Sequence, residues 1–328
     1  MQALPKAALS PEARKQAKAA AALAASGAPL DFAAVEKVLR QGLTPGLDAK
    51  LADRFDRPTA VRAVADRVSA LTAALVASGV RRGGVCIVPA LASAATLEAV
   101  AAAGLRPWLV DVDPYSWMFD PAHLRERLGE APPPIEAIVP TSAFGRAPDM
   151  TAWAAFQRET GLPIVVDATD GFDVVMDAPV PVVVGLPSGH GVFVASQDAS
   201  FIARLDAPDF EGDAGLEGWS GQRLRLATAA QRLRMLLLGA RVGFQPGWGM
   251  SWVSDAWVVS VTEGAAPVVA EKLAEMGYAT NPVGPGIVIR DQTPVADRLA
   301  NSVLSLPFHA GLGIAELDEL AEAVRKAL

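Results

Sequence analysis

The sequence predicts an α/β fold with a mostly parallel sheet that is covered by helices on both faces. Between residues 60 and 195, short runs rich in Val and Ile alternate with amphipathic or alanine-rich stretches of helical length. The apolar runs are continuous, which is typical of strands buried on both faces. Regular alternation of strands and helices favours parallel strands joined by crossover helices.

The predicted elements follow one another in a regular order. Ser10-Pro11 begins a first helix, 11–26, and Asp31 caps a second, 32–40, since hydroxyl or carboxylate caps and an early Pro favour helix starts. Seven strand-like runs come next, at 60–65, 85–88, 107–110, 135–139, 163–166, 180–184 and 191–195. Helices between and after these runs are expected at 68–77, 94–103, 121–128, 150–159 and 223–238.

A cluster of chain-breaking residues at 245–249, Gln-Pro-Gly-Trp-Gly, predicts a domain boundary. Beyond it we expect a strand, a helix, a strand and a closing helix, at 256–261, 266–276, 286–290 and 315–328. The chain of 328 residues is long enough for two domains. We therefore predict a large α/β domain with an N-terminal helical arm over 1–245, and a small C-terminal domain over 246–328.

Composition excludes several classes of function. The net charge of −7 provides no basic surface for nucleic acid, and no apolar run approaches the ~20 residues of a membrane span. The single cysteine, Cys86, lies in an apolar run, so disulfides and cysteine-based metal sites are excluded. Three scattered histidines suggest no metal site. The basic, alanine-rich N-terminus is expected to be a surface helix, not a signal peptide, in a cytoplasmic protein.

Two neighbouring strand ends carry the polar residues that point to a site. The run 164–166 ends on Asp167, and the run 182–184 leads into the turn Ser188–His190. Ligands of open α/β sheets bind beyond the carboxyl ends of the strands, so we expect these residues to line one crevice. Asp170 and Asp173 add negative charge there, which should raise at least one carboxyl pKa and attract an arginine.

A hydrolase site is not expected in this turn. Ser188 and His190 lie near an Asp, but GLPSG is not the G-x-S-x-G motif that carries the nucleophile of α/β hydrolases.

Several segments, in their order and spacing, are similar to one family. They are VEKVLRQGLTPG at 35–46, IVPALASAATLEAVAAAGLRPWLVDVDP at 87–114, AIVPTSAFGRAPDM at 137–150, PIVVDATDGFD at 163–173 and SVLSLPFHAGLGIAELDELAEAV at 302–324. Together they resemble the DegT-type sugar aminotransferases, a branch of the fold type I pyridoxal-phosphate (PLP) enzymes. The resemblance implies a seven-stranded sheet sandwiched by helices, a smaller C-terminal α/β domain, a homodimer, PLP as cofactor and a nucleotide-sugar-like ligand.

The family's Schiff-base lysine has no counterpart in this chain. Such a lysine is the nucleophile that binds PLP and later moves protons. Aligning the family's S-F-H-A-T-K on residues 184–189 puts Gly189 at the lysine position. No lysine occurs between residues 51 and 271, so a small shift of the alignment does not restore one.

The family's other cofactor contacts are also mostly replaced. Its phosphate-binding Ser-Gly-Thr falls on Asp66-Arg67-Val68, its phosphate-binding serine on Val184 and its partner-subunit asparagine on Gly221. The stacking aromatic falls on Ser93. Asp167, which in the family pairs with the pyridine nitrogen, is retained, as is an arginine at 223, and Asp170 stands in place of a glutamine.

The resemblance thus predicts a sugar aminotransferase-like protein of nucleotide-sugar or polysaccharide biosynthesis that has lost transamination and does not use PLP. The candidate residues are His190 for catalysis, Asp167, Asp170 and Ser188 for cofactor binding, and Arg67, Ser93 and Arg223 for substrate binding.

Three alternatives stay open. The sugar 3-dehydratases of this family replace the lysine with histidine, and His190 is one position past Gly189. A second alternative is a non-catalytic partner subunit. The third is an aminotransferase whose lysine, Lys50 or Lys272, comes from another chain.

Overall fold

The computed structural model describes residues 46–255, 257–282 and 293–328. The chain divides into one unit over 1–53 and a compact unit over 54–328. The described part of the first unit holds a short helix, α1 (Leu47–Ala52). The helices expected at 11–26 and 32–40 and the strand expected at 286–290 lie outside the described residues.

Seven strands in the compact unit form the predicted sheet. They are β1 (Ala60–Val64), β2 (Val85–Pro89), β3 (Arg106–Val110), β4 (Ile135–Ile138), β5 (Val166–Ala168), β6 (Val182–Gly185) and β7 (Val192–Ser196). One group has the order β3-β2-β4 and the other β5-β6-β7-β1. Parallel bridges Ile138–Ile164 and Thr141–Asp167 join β4 to β5. Among these strands only β7 runs in the direction opposite to the others, so the mostly parallel seven-stranded sheet is confirmed.

The strands are buried because their sequences are apolar on both faces. All five residues of β2 and all five of β7 are buried. The strand expected at 163–166 begins only at Val166, since Ile164 makes a single bridge and Pro163 has no amide hydrogen to donate.

Helices cover the sheet at the predicted positions. They are α2 (Arg67–Ala77), α3 (Ala94–Ala102), α4 (Pro121–Arg127), α5 (Met150–Thr160) and α6 (Ala199–Ala203), of which α6 is new. Each begins after a side chain that accepts a hydrogen bond from the first turn: Asp66, Ser93, Asp120, Asp149 and Asp198. Caps of this kind satisfy amide groups that have no partner within the helix, and they set the start of each helix.

The rest of the unit forms a second, smaller sheet with its own helices. It contains α7 (Trp219–Leu236), β8 (Gly243–Phe244), β9 (Trp257–Ser260), α8 (Ala266–Glu275), β10 (Asn281–Pro282), α9 (Pro294–Ser302), β11 (Val303–Leu306) and α10 (Ile314–Ala327). The strand order is β10-β11-β9-β8, all antiparallel. Helix α9 and strand β11 were not expected from the sequence.

A tryptophan-rich core lies beneath this second sheet. Trp248 and Trp257 stack at 5.6 Å between ring centres, and Phe308 packs against both. The same core contains Leu226 and Leu233 of α7, which precede the predicted boundary at 246. The division of the chain at 246 stays a prediction. None of the helices in the described ranges is long and apolar enough to cross a membrane.

Candidate functional site

Asp167 lies at the centre of the predicted site. It is the middle residue of β5 and is fully buried. Arg67 donates to its Oδ2 from Nη2 at 2.6 Å and from Nε at 3.2 Å. Thr96 Oγ1 donates to the same oxygen at 2.6 Å, and Thr169 Oγ1 donates to Oδ1. Both carboxylate oxygens of Asp167 are therefore hydrogen-bonded within the chain.

The partners of Asp167 are positioned by helix starts. Arg67 is the first residue of α2, directly after the cap Asp66. Thr96 lies in the first turn of α3, where the cap Ser93 accepts from the Thr96 amide at 3.2 Å and lies 3.0 Å from its hydroxyl. Ser93, expected to bind substrate, thus holds Thr96 in place beside Asp167.

Arg67 and Asp167 form an ion pair in which the arginine neutralises a buried carboxylate. The carboxylate has no contact with solvent, and one quarter of the Arg67 side chain remains accessible. A buried carboxylate needs a cation and hydrogen-bond donors close by, because desolvation strongly disfavours an unpaired charge. Arg67, Thr96 and Thr169 supply both requirements.

A cavity of about 440 Å³ opens above this pair. Arg67 lines it together with Asp66, Asp170, His190, Gly189 and Asp255. The structure therefore brings together Arg67, Asp170 and His190 of the predicted residues, above the buried Asp167.

The carboxyl of Asp170, which lines this cavity, has a raised pKa. Burial raises the pKa of its carboxyl to about 6; nearby Arg67 lowers this pKa, and Asp167 and Asp255 raise it. The sequence predicted a raised carboxyl pKa from crowded negative charge. The main cause is burial, and charge crowding is a smaller contribution.

The turn after β6 uses its polar groups locally. Ser188 Oγ donates to the carbonyl of His190 at 3.0 Å, and the Ser188 amide donates to the carbonyl of Ala214. Ser188 was expected to bind the cofactor, whereas its hydroxyl closes the turn. His190 is exposed, and Gly189 has a φ of +75°, a conformation that disfavours any residue with a side chain.

Arg223, expected to bind substrate, is held away from the Asp167 pair. Its Nε donates to Asp173 Oδ1 at 2.5 Å, and Asp173 also accepts from the amide of Val253 at 3.0 Å. Asp173 therefore ties α7 to the chain segment before β9. The expectation that an arginine would pair with the acidic turn is met twice, by Arg67 and by Arg223.

Of the three residues that hold Asp167, sequence reasoning named only Arg67, and it expected Arg67 to bind substrate. Thr96 has a detectable signal, since it stands three positions after the cap Ser93, which follows the carboxyl end of β2. Thr169 is two residues after Asp167, a spacing at which a hydroxyl can reach the preceding carboxylate. Among the described residues, no group of His, Cys, Asp or Glu is arranged to hold a metal ion.

Comparison with known proteins supports the resemblance. Residues 40–178 match the model of the DegT/DnrJ/EryC1/StrS aminotransferase family. UDP-2-acetamido-2-deoxy-3-oxo-D-glucuronate aminotransferase from Pseudomonas aeruginosa is 33% identical over 146 residues, which are 43% of this chain. The match spans only 40% of that relative's length.

Solved structures extend the likeness over most of the chain. A DegT DnrJ EryC1 StrS aminotransferase from Brucella abortus has a TM-score of 0.70 at 22% identity, covering 90% of this chain and 94% of that one. The aminotransferase TlmJ from Streptoalloteichus hindustanus has a TM-score of 0.72 at 21% identity, covering 90% and 95%. Fold type I, predicted from the sequence, is thereby confirmed as the fold.

Proposed function

We propose, from the membership of residues 40–178 in the DegT/DnrJ/EryC1/StrS aminotransferase family, that this protein is a sugar aminotransferase-like protein that does not carry out PLP-dependent transamination. In this proposal it serves nucleotide-sugar or polysaccharide biosynthesis and is cytoplasmic.

The contact between Arg67 and Asp167 carries the proposal. In the family, the aspartate at this position pairs with the protonated ring nitrogen of PLP, which is a cation. Here the guanidinium of Arg67 is 2.6 Å from Asp167 Oδ2, and Thr96 is equally close to that oxygen. The residues present do not fit PLP, because its ring nitrogen would need the carboxylate that Arg67 already neutralises.

The turn at Gly189 supports the same conclusion. A lysine at this position would have to adopt a φ of +75°, which costs about 1 kcal/mol or more for a residue with a side chain. The position is sterically open, since a Cβ placed on Gly189 would meet no atom within 4 Å. The backbone conformation, and not a lack of space, therefore opposes a lysine there.

Titration with PLP tests the proposal. The wild-type protein, Gly189→Lys and the double variant Arg67→Ser/Gly189→Lys are mixed with PLP, reduced with borohydride and analysed by absorbance and peptide mass mapping. We expect no covalent PLP in the crevice of the wild type or of Gly189→Lys, because Arg67 still occupies Asp167. A stable Schiff-base absorbance band of the wild type that borohydride bleaches would refute the proposal.

The dehydratase alternative rests on His190. Its exposed ring lines the same cavity as Asp170, where it could exchange protons with a bound sugar. That chemistry also needs PLP, bound without a covalent link. It therefore predicts that the wild-type protein, which contains His190, shows a PLP absorbance spectrum that disappears on dialysis. The proposal made here predicts no bound PLP in either test.

An aminotransferase that uses a lysine from another chain is less well supported. The Lys272 ammonium donates to the carbonyl of Ala327 at 2.9 Å, so it is already engaged in its own chain.

The charge of the cavity bears on the ligand that the protein would hold. Arg67 is neutralised by Asp167, while Asp66, Asp170 and Asp255 leave the walls negative. Carboxylates hydrogen-bond sugar hydroxyls but repel a diphosphate. If a nucleotide-sugar-like ligand binds, its sugar should occupy this cavity. Calorimetry with a UDP-sugar and with UDP alone tests this, and equal affinities would contradict it.

A non-catalytic partner subunit remains the alternative if neither compound binds. If neither compound binds, the function that the family fold would support is that of a subunit in the assembly of a complex.

A further inference from the structure

A second cavity lies at the end of the sheet opposite to the Asp167 crevice. It has a volume of about 270 Å³ and is lined by Pro163 and Pro181, which precede β5 and β6, and by Ser196, which ends β7. Because β7 runs antiparallel to β6, its end lies at the same edge as the starts of β5 and β6. Pro163 is four residues before Asp167, about 13 Å of extended chain. Among the described residues, the two cavities have no lining residue in common.

A buried polar atom without a partner belongs to the wall of this cavity. Gln157, near the end of α5, lines the cavity, and its Oε1 is buried and accepts no hydrogen bond from the described residues. A buried carbonyl oxygen without a donor destabilises the folded protein, so such atoms are rare. A bound molecule that donates a hydrogen bond to Gln157 would remove this cost.

Ser196 offers the complementary group. It also lines the cavity and is 3% exposed, and its Oγ accepts from the amide of Asp198 at 3.1 Å. Within the described ranges of the chain, the Ser196 hydroxyl hydrogen has no acceptor. The cavity therefore combines an acceptor that lacks a donor with a donor that lacks an acceptor.

The charged groups at the cavity balance one another. Arg204 and Asp198 both line it, with 4.0 Å between Arg204 Nη2 and Asp198 Oδ2, and both side chains are about half exposed. Asp198 would repel an anionic ligand and Arg204 would repel a cationic one. The cavity therefore favours an uncharged ligand.

The remaining walls are largely apolar. Pro163, Pro179 and Pro181 contribute ring carbons and have no amide hydrogen to donate, and Ile164 and Phe201 also line the cavity. A ligand that suits these walls has C–H surface in addition to hydrogen-bonding groups.

We propose that this cavity is a second ligand site, which binds one uncharged polyhydroxylated ring, a monosaccharide unit. Each hydroxyl of such a ring both donates and accepts, so its hydroxyls can donate to Gln157 Oε1 and accept from Ser196 Oγ. The ring carbons can pack on the prolines. The volume is near the lower limit of about 300 Å³ for small-molecule sites, which suits a single ring.

Binding of simple sugars to the full chain tests the proposal. The probes are D-glucose and N-acetyl-D-glucosamine, and saturation-transfer NMR measures their affinities. We expect at least one of them to bind the wild type. Gln157→Met and Ser196→Ala should each raise its dissociation constant about 5-fold, because each removes one hydrogen bond. Gln231→Met is the matched control, since Gln231 is exposed on α7, and it should bind like the wild type.

Hydrogen exchange locates the bound sugar. Amides at 157–164 and 196–204 should exchange more slowly when the sugar is present, and those at 185–191, beside the Asp167 crevice, should not change. Protection at 185–191 alone would place the sugar in the crevice and overturn the proposal.

The unpartnered oxygen of Gln157 adds a readout that does not depend on a binding assay. Without sugar, Gln157→Met should have a higher melting temperature than the wild type, because it removes a buried acceptor that has no donor. Saturating sugar should raise the melting temperature of the wild type and change that of Gln157→Met much less. A lower melting temperature of the sugar-free variant would contradict the proposal.

The source of the ring is distinguished by the trimers maltotriose and triacetylchitotriose. A trimer that binds more tightly than its monomer identifies a residue of a longer glycan as the ligand, and equal affinities identify a free sugar. The proposal is overturned if neither sugar and neither trimer binds, or if methylammonium or inorganic phosphate binds in their place. None of these measurements involves PLP or UDP, so their outcome is independent of the tests of the proposed function.

Discussion

The contact of Arg67 with Asp167 predicts that the loss of a single side chain destabilises the protein. Arg67→Ala leaves the buried carboxylate without its cation, and we expect the free energy of unfolding to fall by about 3 kcal/mol. Urea denaturation at pH 7 measures the change. Adding Asp167→Asn should restore part of the loss, because a neutral amide needs no cation.

Arg125→Ala is the matched control for this prediction. Arg125 pairs with Glu159 at 2.5 Å, but both side chains are about half exposed. A solvent-exposed pair contributes about 1 kcal/mol or less, so this variant should be nearly as stable as the wild type. Equal effects of Arg67→Ala and Arg125→Ala would show that Asp167 does not depend on its arginine.

Asp170 makes a prediction about pH dependence. Its folded-state pKa of about 6 lies above its ordinary value of 3.8, so the folded protein binds the proton more tightly than the unfolded chain. The contribution of Asp170 to stability is therefore lost as the pH rises from about 4 to 6. Asp170→Asn removes this titration and should be more stable than the wild type at pH 8, by at most about 3 kcal/mol.

Urea unfolding of Asp170→Asn and wild type at pH 4 and pH 8 checks the sign. The two proteins should differ at pH 8 and converge at pH 4. A difference that is independent of pH would exclude Asp170 as the titrating group.

The positions of individual site residues were predictable only where a local sequence pattern determined them. Asp167 ends an apolar run, and that position alone placed it at the crevice. The role of Arg67 depends on α2 and β5 meeting across 100 residues, and no local pattern encodes such a contact. The assignment of Ser188 stays a prediction, because a hydroxyl in a tight turn bonds either to a ligand or to its own turn, and both have the same sequence.

At the level of elements, helix α9 depends on a residue far away in the sequence. Asp111, just after β3, accepts from the amides of Val295 and Ala296, both at 2.8 Å. Thr293, directly before α9, makes no side-chain capping bond, so the Asp111 carboxylate is the cap. Asp111→Ala should lower the free energy of unfolding by about 2 kcal/mol and increase amide hydrogen exchange at the beginning of α9.

Asp120→Ala provides the comparison, since Asp120 is exposed and caps α4, the helix that begins at the next residue. It should cost about 1 kcal/mol and leave exchange in α9 unchanged. Unchanged exchange in α9 after Asp111→Ala would show that the distant cap is dispensable.

This distant cap also explains why the sequence failed to predict α9. Helices α2 to α5 were expected from amphipathic or alanine-rich stretches of helical length, and their starts agree with the structure to within one residue. The start of α9 has only a Thr293-Pro294 pair nearby in the sequence, and the carboxylate that caps the helix is 184 residues away from Val295. Local sequence patterns predict those helices and strands whose ends are determined by residues nearby in the sequence.

At the scale of the molecule, the predicted sheet is confirmed, whereas the division of the chain at 246 stays a prediction. The strand ends and crossover helices specify the parallel sheet, and the family resemblance added its number of strands. The predicted boundary at 246 relied on breaker residues, yet α7 contributes Leu226 and Leu233 to the C-terminal core. A further apolar cluster combines Val112 and Trp117 with Val258 and Leu299, so the two sheets share packed side chains.

The arginine that neutralises Asp167 has a consequence for how such a sequence can evolve. Under the proposed function, a mutation that introduces a lysine at 189 gives no advantage while Arg67 occupies the aspartate, and a mutation that removes Arg67 alone is expected to weaken the fold. Neither single step is then favoured, and cofactor chemistry requires both changes together. Under the proposed function, an ion pair that stabilises the folded chain would therefore make the loss of cofactor chemistry hard to reverse.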